Sequence, residues 1–224
     1  MTTPKVILRF SISLDGYLND TSPERLILSN TEDFALVDQL RSECDAILVG
    51  AETIRADNPS LRIKSEQFRQ EHYERTGAAE LTRICLTNSG NLPIKSKFFA
   101  NDTARKIIFC PQAQRAKLNA LETSAEVLTL GEQNGLIDLT TQLQQLGCQQ
   151  LLVEGGATII SQFLNLDLVD EMIISIAPVI LGAKGSPHFI DPNLITKNQK
   201  RPMSLIKTSQ VGEMALLHYR FETI

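Results

Sequence analysis

Gln150-Leu151-Leu152-Val153-Glu154-Gly155-Gly156-Ala157-Thr158-Ile159-Ile160-Ser161-Gln162-Phe163-Leu164 is the stretch on which the reading of this chain turns. Leu151, Leu152 and Val153 predict a strand buried on both faces. Glu154 interrupts the apolar run with a charge, and two glycines follow at once. Residues 158–164 then predict a helix with Ile159, Ile160, Phe163 and Leu164 on one side. Strand, glycine turn and helix together aim backbone N–H groups and a helix N-terminus at a phosphate. Glycine also permits a close approach that a Cβ would block. The same spacing serves a plain tight turn, and it is neither a G-x-G-x-x-G fingerprint nor a P-loop. Glu154 sharpens the reading. A carboxylate at the carboxyl end of a buried strand, where open α/β sheets place their ligands, needs a partner or a purpose.

Outward from this stretch the chain alternates strand and helix. A first strand is predicted over 5–12, where Val6, Leu8, Phe10 and Ile12 alternate, leading to an Asp15-Gly16 turn. Capping residues at 29–33 open a helix running to about Cys44, and 45–50 is a short buried strand. Residues 51–57 read as a helical turn that Pro59 stops. Residues 67–77 are polar and read as a surface loop or a weak helix. Strands follow at 82–87, 106–110 and 125–130, with a helix near 113–121. Leu136, Leu139, Leu143 and Leu146 mark an amphipathic helix ended by Gly147. Past the central stretch, 169–181 reads as a long apolar strand with Pro178 late in it. Residues 203–210 and 214–221 read as two alternating strands joined near Gly212. The pattern predicts a three-layer α/β/α fold, a mostly parallel central sheet with antiparallel C-terminal strands, in one domain over residues 1–224.

Composition narrows the function classes. The 224 residues are 42% hydrophobic and 21% charged, which suits a globular domain with a sizeable core. A net charge of −4 and the absence of a basic run give no footprint for nucleic acid. No apolar run approaches the roughly 20 residues that span a bilayer, and the N-terminus enters a strand pattern directly, so a cytoplasmic setting is expected. Cys44, Cys85, Cys110 and Cys148 are scattered, and His72, His188 and His218 are isolated, so no metal site is expected.

Four blocks in register carry a resemblance. They are Ser13-Leu14-Asp15-Gly16; Asp45 to Gly50 with Thr53 and Asp57-Asn58-Pro59-Ser60-Leu61; Leu152 to Thr158; and Leu168-Val169-Asp170-Glu171 running into Ile176-Ala177-Pro178-Val179-Ile180-Leu181-Gly182. On these the chain resembles the pyrimidine reductase family of riboflavin biosynthesis, the C-terminal reductase domain of the bifunctional deaminase-reductase, which has a dihydrofolate-reductase-like fold. The resemblance implies NADPH-dependent reduction of a ribosylamino-pyrimidine 5′-phosphate to its ribitylamino form. It implies that Thr53, Asp57, Asn88, Ser89, Gly90, Asn91, Gly155, Gly156, Ala157 and Thr158 contact the cofactor. It also implies that Ser29, Arg41, Leu61, Lys64 and Glu154 lie near the substrate, and that the protein is a homodimer.

These residue types suit that chemistry. Hydride transfer belongs to the cofactor, so the protein must orient it against the sugar C1′ and exclude water. A sugar phosphate calls for fixed cations, with Arg41 as a planar fork and Lys64 as a point charge. The pyrophosphate suits the Gly155-Gly156 turn, and the 2′-phosphate suits donors at Asn88 and Ser89. Glu154 can accept hydrogen bonds from pyrimidine amino or ring N–H groups, and Asp15 is the candidate proton relay. Each also has a plain structural reading: Arg41 complementing a helix dipole, Thr53 and Asp57 as helix-end residues, Lys64 as a surface lysine, Asp15-Gly16 as a turn.

The chain departs from the family pattern at Tyr17, at Lys64 in place of an arginine, at Thr87-Asn88 in place of Asp-Ser, and over 21–28. A reductase acting on another pyrimidine, pterin or carbonyl substrate is the enzymatic alternative, and a non-catalytic nucleotide-binding module the other. The zinc deaminase signatures, His-x-Glu and Pro-Cys-x-x-Cys, are not present in the sequence, so a free-standing reductase domain is expected.

Overall fold

The computed structural model describes residues 3–22, 26–131, 135–182, 184–196 and 200–222. In chain order these form β1 (Lys5–Ser13), α1 (Thr31–Glu43), β2 (Ala46–Gly50), α2 (Ala51–Asp57), α3 (Glu66–Thr76), β3 (Thr82–Leu86), β4 (Lys106–Pro111) and β5 (Glu126–Leu130). There follow α4 (Gly135–Gln145), β6 (Gln150–Gly155), α5 (Ala157–Asn165), β7 (Glu171–Ala177), β8 (Met203–Val211) and β9 (Met214–Phe221), with 3₁₀ helices at Lys97–Phe99 and Gln112–Leu121. The strands build a large, mostly parallel sheet, as the β-α alternation predicts. Their apolar runs are buried on both faces: all five residues of β2 are buried, and Leu151, Leu152 and Val153 of β6 are fully enclosed.

The chain divides into two compact units. The first, residues 1–5 and 38–152, contains strands in the order β5-β4-β3-β2, all parallel. Their registers pair Gly50 with Leu86, Leu86 with Phe109, and Pro111 with Leu130, so the four carboxyl ends lie along one edge. At the opposite ends lies a charged cluster whose centre is buried. The wholly enclosed Arg83 guanidinium donates to Asp102 at 2.7 Å, Lys106 lies 3.1 Å from the same carboxylate, and Arg62 donates to Glu80 at 2.9 Å. Burial alone would raise the Asp102 pKa, but the hydrogen bonds from Arg83 and Lys106 hold it below its ordinary value.

The polar stretch at 67–77 resolves as the helix α3. Ser65 caps its start by accepting the Phe68 N–H, and Gly77, at φ +75°, ends it by donating to the Tyr73 carbonyl. His72 supplies its buried contact, a single residue that gives almost no periodic signal.

The second unit, residues 6–37 and 153–224, holds β1-β7-β9-β8 in order, with β1 and β7 parallel and the last two pairings antiparallel. The expected strand over 169–181 is shorter at both ends. Asp170 turns the chain into β7: its carboxylate accepts the Val6 N–H at 2.7 Å and its own N–H donates to the Val6 carbonyl. At the other end Pro178 has no N–H to continue the ladder, and Val179 donates back to Ala177 instead. β8 is an edge strand, and its first six residues are exposed.

Candidate functional site

In the first unit two strands run straight into the expected cofactor residues. β2 ends at Gly50, the N-cap of α2, and no side chain caps that helix. Thr53 and Asp57 are half-buried along α2, and Asn58, in the left-handed region, closes it. The Asn58 side-chain oxygen accepts the Lys97 N–H at 2.7 Å. β3 ends at Leu86 beside Gly50, and residues 87–91 make a tight turn there. The Thr87 hydroxyl accepts the Gly90 N–H and the Ser89 hydroxyl accepts the Asn91 N–H. The turn leaves Asn88, Ser89 and Asn91 exposed. Gly90 needs to be glycine: its φ is +70°, and a Cβ there would come within 3.2 Å of the Lys117 side chain.

Two cations at this edge escaped the sequence reading. Arg55 of α2 donates to the Asn91 carbonyl at 2.7 Å while pairing with Glu52. Lys117 reaches the Ser89 carbonyl at 3.5 Å. Register and a 3₁₀ turn put them there, and neither is adjacent in sequence to the residues it serves.

The first unit also gathers Arg41, Leu61 and Lys64. Arg41 donates to the Arg62 carbonyl at 2.9 Å, and the buried Asp38, one turn earlier on α1, accepts the N–H groups of Lys64 at 2.6 Å and Ser65 at 2.5 Å. Leu61 is 1% exposed with a φ of +51°, an unusual conformation that its burial holds. The Lys64 side chain is exposed. Asp38 carries no sequence signal beyond its helical position, yet it shapes this whole segment.

In the second unit β6 delivers Glu154, half-buried, at the point where the strand stops. Gly155 follows at φ +105°, and a Cβ on it would stand 3.3 Å from Ile160. The peptide between Gly155 and Gly156 is cis. Gly156 is the N-cap of α5, which no side chain caps, so Ala157 and the exposed Thr158 open a helix whose first N–H groups are left for a ligand or water. An uncapped helix start after a glycine approach fits a pyrophosphate by its donor set and its dipole.

Ser29 lies just before α1, its hydroxyl 2.8 Å from that of Ser11 on β1. Asp15 behaves as an anchor: its carboxylate accepts the N–H groups of Leu181 and Gly182 at 3.1 and 2.7 Å. The Ser13 hydroxyl, and after it these N–H groups, hold its pKa down at about 2. That arrangement gives no support to Asp15 as a proton relay near neutral pH.

A cavity of about 430 Å³ in the first unit is bordered by Asp45, His72, Arg75, Arg105, Leu146 and Cys148 at the amino ends of the strands, and it contains none of the expected site residues. Ligands of parallel sheets gather at the carboxyl ends, so the cavity is not taken as the site. Among the described residues no group of three or more His, Cys, Asp or Glu is placed to hold a metal ion, and no helix is long and apolar enough to cross a membrane.

Known proteins share both the sequence and the fold. A 2,5-diamino-6-ribosylamino-4(3H)-pyrimidinone 5′-phosphate reductase of Archaeoglobus fulgidus is 32% identical over 222 residues, covering 97% of this chain and 98% of the relative. The riboflavin biosynthesis protein RibD of Chlamydia muridarum is 30% identical over 94% of this chain, which spans only 56% of that longer protein. The structure of Acinetobacter baumannii RibD superposes with a TM-score of 0.79 at 24% identity, over 99% of this chain and 59% of that one, a likeness of fold. The RibD C-terminal domain matches residues 4–217, from just before β1 to within β9 and through the glycine turn at the head of α5, and by that match this chain belongs to the RibD C-terminal domain family.

Proposed function

We propose that the protein is an NADPH-dependent oxidoreductase that reduces a ribosylamino-pyrimidine 5′-phosphate to its ribitylamino form in riboflavin biosynthesis. The observation that carries this reading is the passage from β6 into α5. Glu154 stands at the strand's end, Gly155 has no Cβ to keep a ligand off, and the α5 N-terminus has no capping side chain. A carboxylate beside an anion site suits a ligand with N–H groups on one part and phosphates on another. The relatives named as pyrimidinone 5′-phosphate reductases support the substrate class.

When bound, NADPH supplies the hydride that the sugar C1′ of the ring-opened imine accepts, while a proton goes to the imine nitrogen. Gly155, Gly156, Ala157 and Thr158 hold the pyrophosphate through backbone N–H groups. Thr53, Asp57, Asn88, Ser89, Gly90 and Asn91 hold the rest of the nucleotide. In this reading Glu154 accepts from the pyrimidine and Ser29, in the same unit, faces that ring, while Arg41, Leu61 and Lys64 are the residues that would meet the sugar phosphate. Asp15 keeps the loop at 181–182 in place.

The protein works as a cytoplasmic homodimer in this reading. All four cysteines are free thiols, which suits a reducing compartment. β8 is an open edge with Met203, Leu205 and Ile206 at 38%, 53% and 41% exposure, an apolar strip that a second copy would cover.

The test is loss of nicotinamide absorbance on mixing protein, NADPH and the substrate, with Glu154→Gln as control. Substrate-dependent oxidation that collapses in the variant supports the reading. NADPH binding without oxidation of any pyrimidine, pterin or carbonyl compound refutes the activity and keeps the cofactor.

A further inference from the structure

Ser29 is the outer end of a hydrogen-bond chain that runs inward to a buried ion pair. The Ser29 and Ser11 hydroxyls are 2.8 Å apart, and Ser11 donates to an Asp33 carboxylate oxygen at 3.2 Å. Asp33 is wholly buried and paired with Arg9, which is 3% exposed. Arg9 donates in addition to Ser175 at 2.9 Å and to the Phe10 carbonyl at 2.7 Å, and the Ser175 hydroxyl donates to Asp33. Asp33 therefore accepts from Arg9, Ser11 and Ser175 at once.

This arrangement orders protons. A hydroxyl has one proton to donate. Ser11 commits its proton to Asp33, so in the bond between the two serines Ser11 must accept and Ser29 must donate. With its proton held inward, Ser29 presents only lone pairs to whatever lies outside. The residue next to it is tied on two sides. The Asn30 side chain accepts the Asp33 N–H at 2.8 Å and donates to the Val211 carbonyl at 2.9 Å.

A one-way acceptor discriminates only against certain groups. A sugar hydroxyl can rotate to donate or accept and gains little from it. An exocyclic amine on a pyrimidine, with protons to give, matches it, whereas an oxo group in the same place meets lone pair with lone pair. We propose that Arg9, Asp33 and Ser11 are positioning residues that set Ser29 as an obligate acceptor and so select an amino-bearing pyrimidine over its oxo counterpart. This rests on the reading above that places Ser29 against the pyrimidine of the substrate.

The experiment measures kcat/KM by NADPH oxidation for three compounds: the 2,5-diaminopyrimidinone ribosylamino 5′-phosphate, its 2-oxo counterpart, and the counterpart with hydrogen in place of the 5-amino group. Wild type, Ser11→Ala and Ser29→Ala are compared, with thermal melts to confirm folding. Replacing one of the two amines should cost the wild type about tenfold or more in kcat/KM. Ser11→Ala releases the Ser29 proton to point outward, where it can donate to a carbonyl oxygen, so the penalty on the 2-oxo compound should shrink severalfold. Ser29→Ala, at a half-buried site, should shrink it too. Equal losses on all three compounds, with the wild-type ratios intact in both variants, are what a merely structural role gives and overturn the proposal. A wild type that turns over all three compounds equally also overturns it, and leaves the reductase standing. A wild type that oxidises NADPH with none of them overturns the substrate reading beneath it.

Discussion

The Arg55 guanidinium donates to the Asn91 carbonyl at 2.7 Å and thereby ties α2, which follows β2, to the turn that follows β3. Parallel pairing sets the two strand ends side by side, and this one contact joins the segments carrying Thr53, Asp57 and Asn88. Arg55→Ala should raise the KM for NADPH by about three- to tenfold, the range of an exposed charge-assisted hydrogen bond worth roughly 1 kcal/mol. The KM for the pyrimidine substrate should stay unchanged. Steady-state kinetics with each reactant varied in turn checks this.

Lys117 stands beside the same turn, reaching the Ser89 carbonyl at 3.5 Å. If residues 88–91 receive the 2′-phosphate, this lysine is the nearby cation that distinguishes NADPH from NADH. Lys117→Ala should weaken NADPH by about fivefold and leave NADH unaffected, narrowing the preference, with a slope that flattens in high salt. Equal effects on both cofactors would place the phosphate elsewhere.

Gly155 has a φ of +105° and only 3.3 Å of room before Ile160. Gly155→Ala should destabilise the fold by about 1–3 kcal/mol, the usual cost of a side chain in that conformation. If the glycine turn holds the cofactor as proposed, the added methyl group should also lower NADPH affinity. Chemical denaturation and cofactor titration of the same preparation separate the two losses.

Asp38 is 6% exposed and accepts two backbone N–H groups, from Lys64 and Ser65. Asp38→Ala leaves both without their acceptor and should cost about 1–3 kcal/mol in urea unfolding. Because it loosens the segment between Leu61 and Ser65, it should raise the KM for the phosphorylated substrate more than it lowers kcat. Asp38→Asn keeps one acceptor oxygen and should recover part of the loss.

Acid stability follows from Asp45 and Asp102. Burial alone would raise both, yet their net shifts are downward from 3.8, because Arg75 and the Gln149 and Gln150 N–H groups bind Asp45, while Arg83 and Lys106 bind Asp102. A carboxylate whose folded pKa lies below its unfolded one stabilises the fold fully above the unfolded value. That stabilisation declines as pH falls below 3.8 and is gone once the folded pKa is passed. Unfolding free energy should therefore fall steeply below about pH 4, and Asp45→Asn should flatten that slope while lowering stability at pH 7.

Much of this architecture is local and so was legible in the residues themselves. Alternation of apolar positions marks β1, and the run of Leu151, Leu152 and Val153 marks β6, because the burial of a strand imposes its own pattern. Gly155 and Gly156 announce the turn before α5 since few other residues fit it. Where a single contact overrides the pattern, the residues say less: α3 has one buried side chain, and β7 stops at Ala177 through the missing N–H of Pro178. The partners of charged and polar groups belong to the tertiary structure alone. Arg9 meets Ser175 across 166 positions, Lys64 meets Asp38 across 26, and Arg55 meets Asn91 across 36. Strand register and helix placement decide those meetings, and local propensity carries no record of them. By itself the sequence determined a mostly parallel α/β fold with a glycine turn between a buried strand and a helix at residue 155. Only the tertiary structure made Asp15 an anchor, Asp38 a clamp and Ser29 a one-way acceptor, because a hydrogen bond is defined by the partner that the fold delivers.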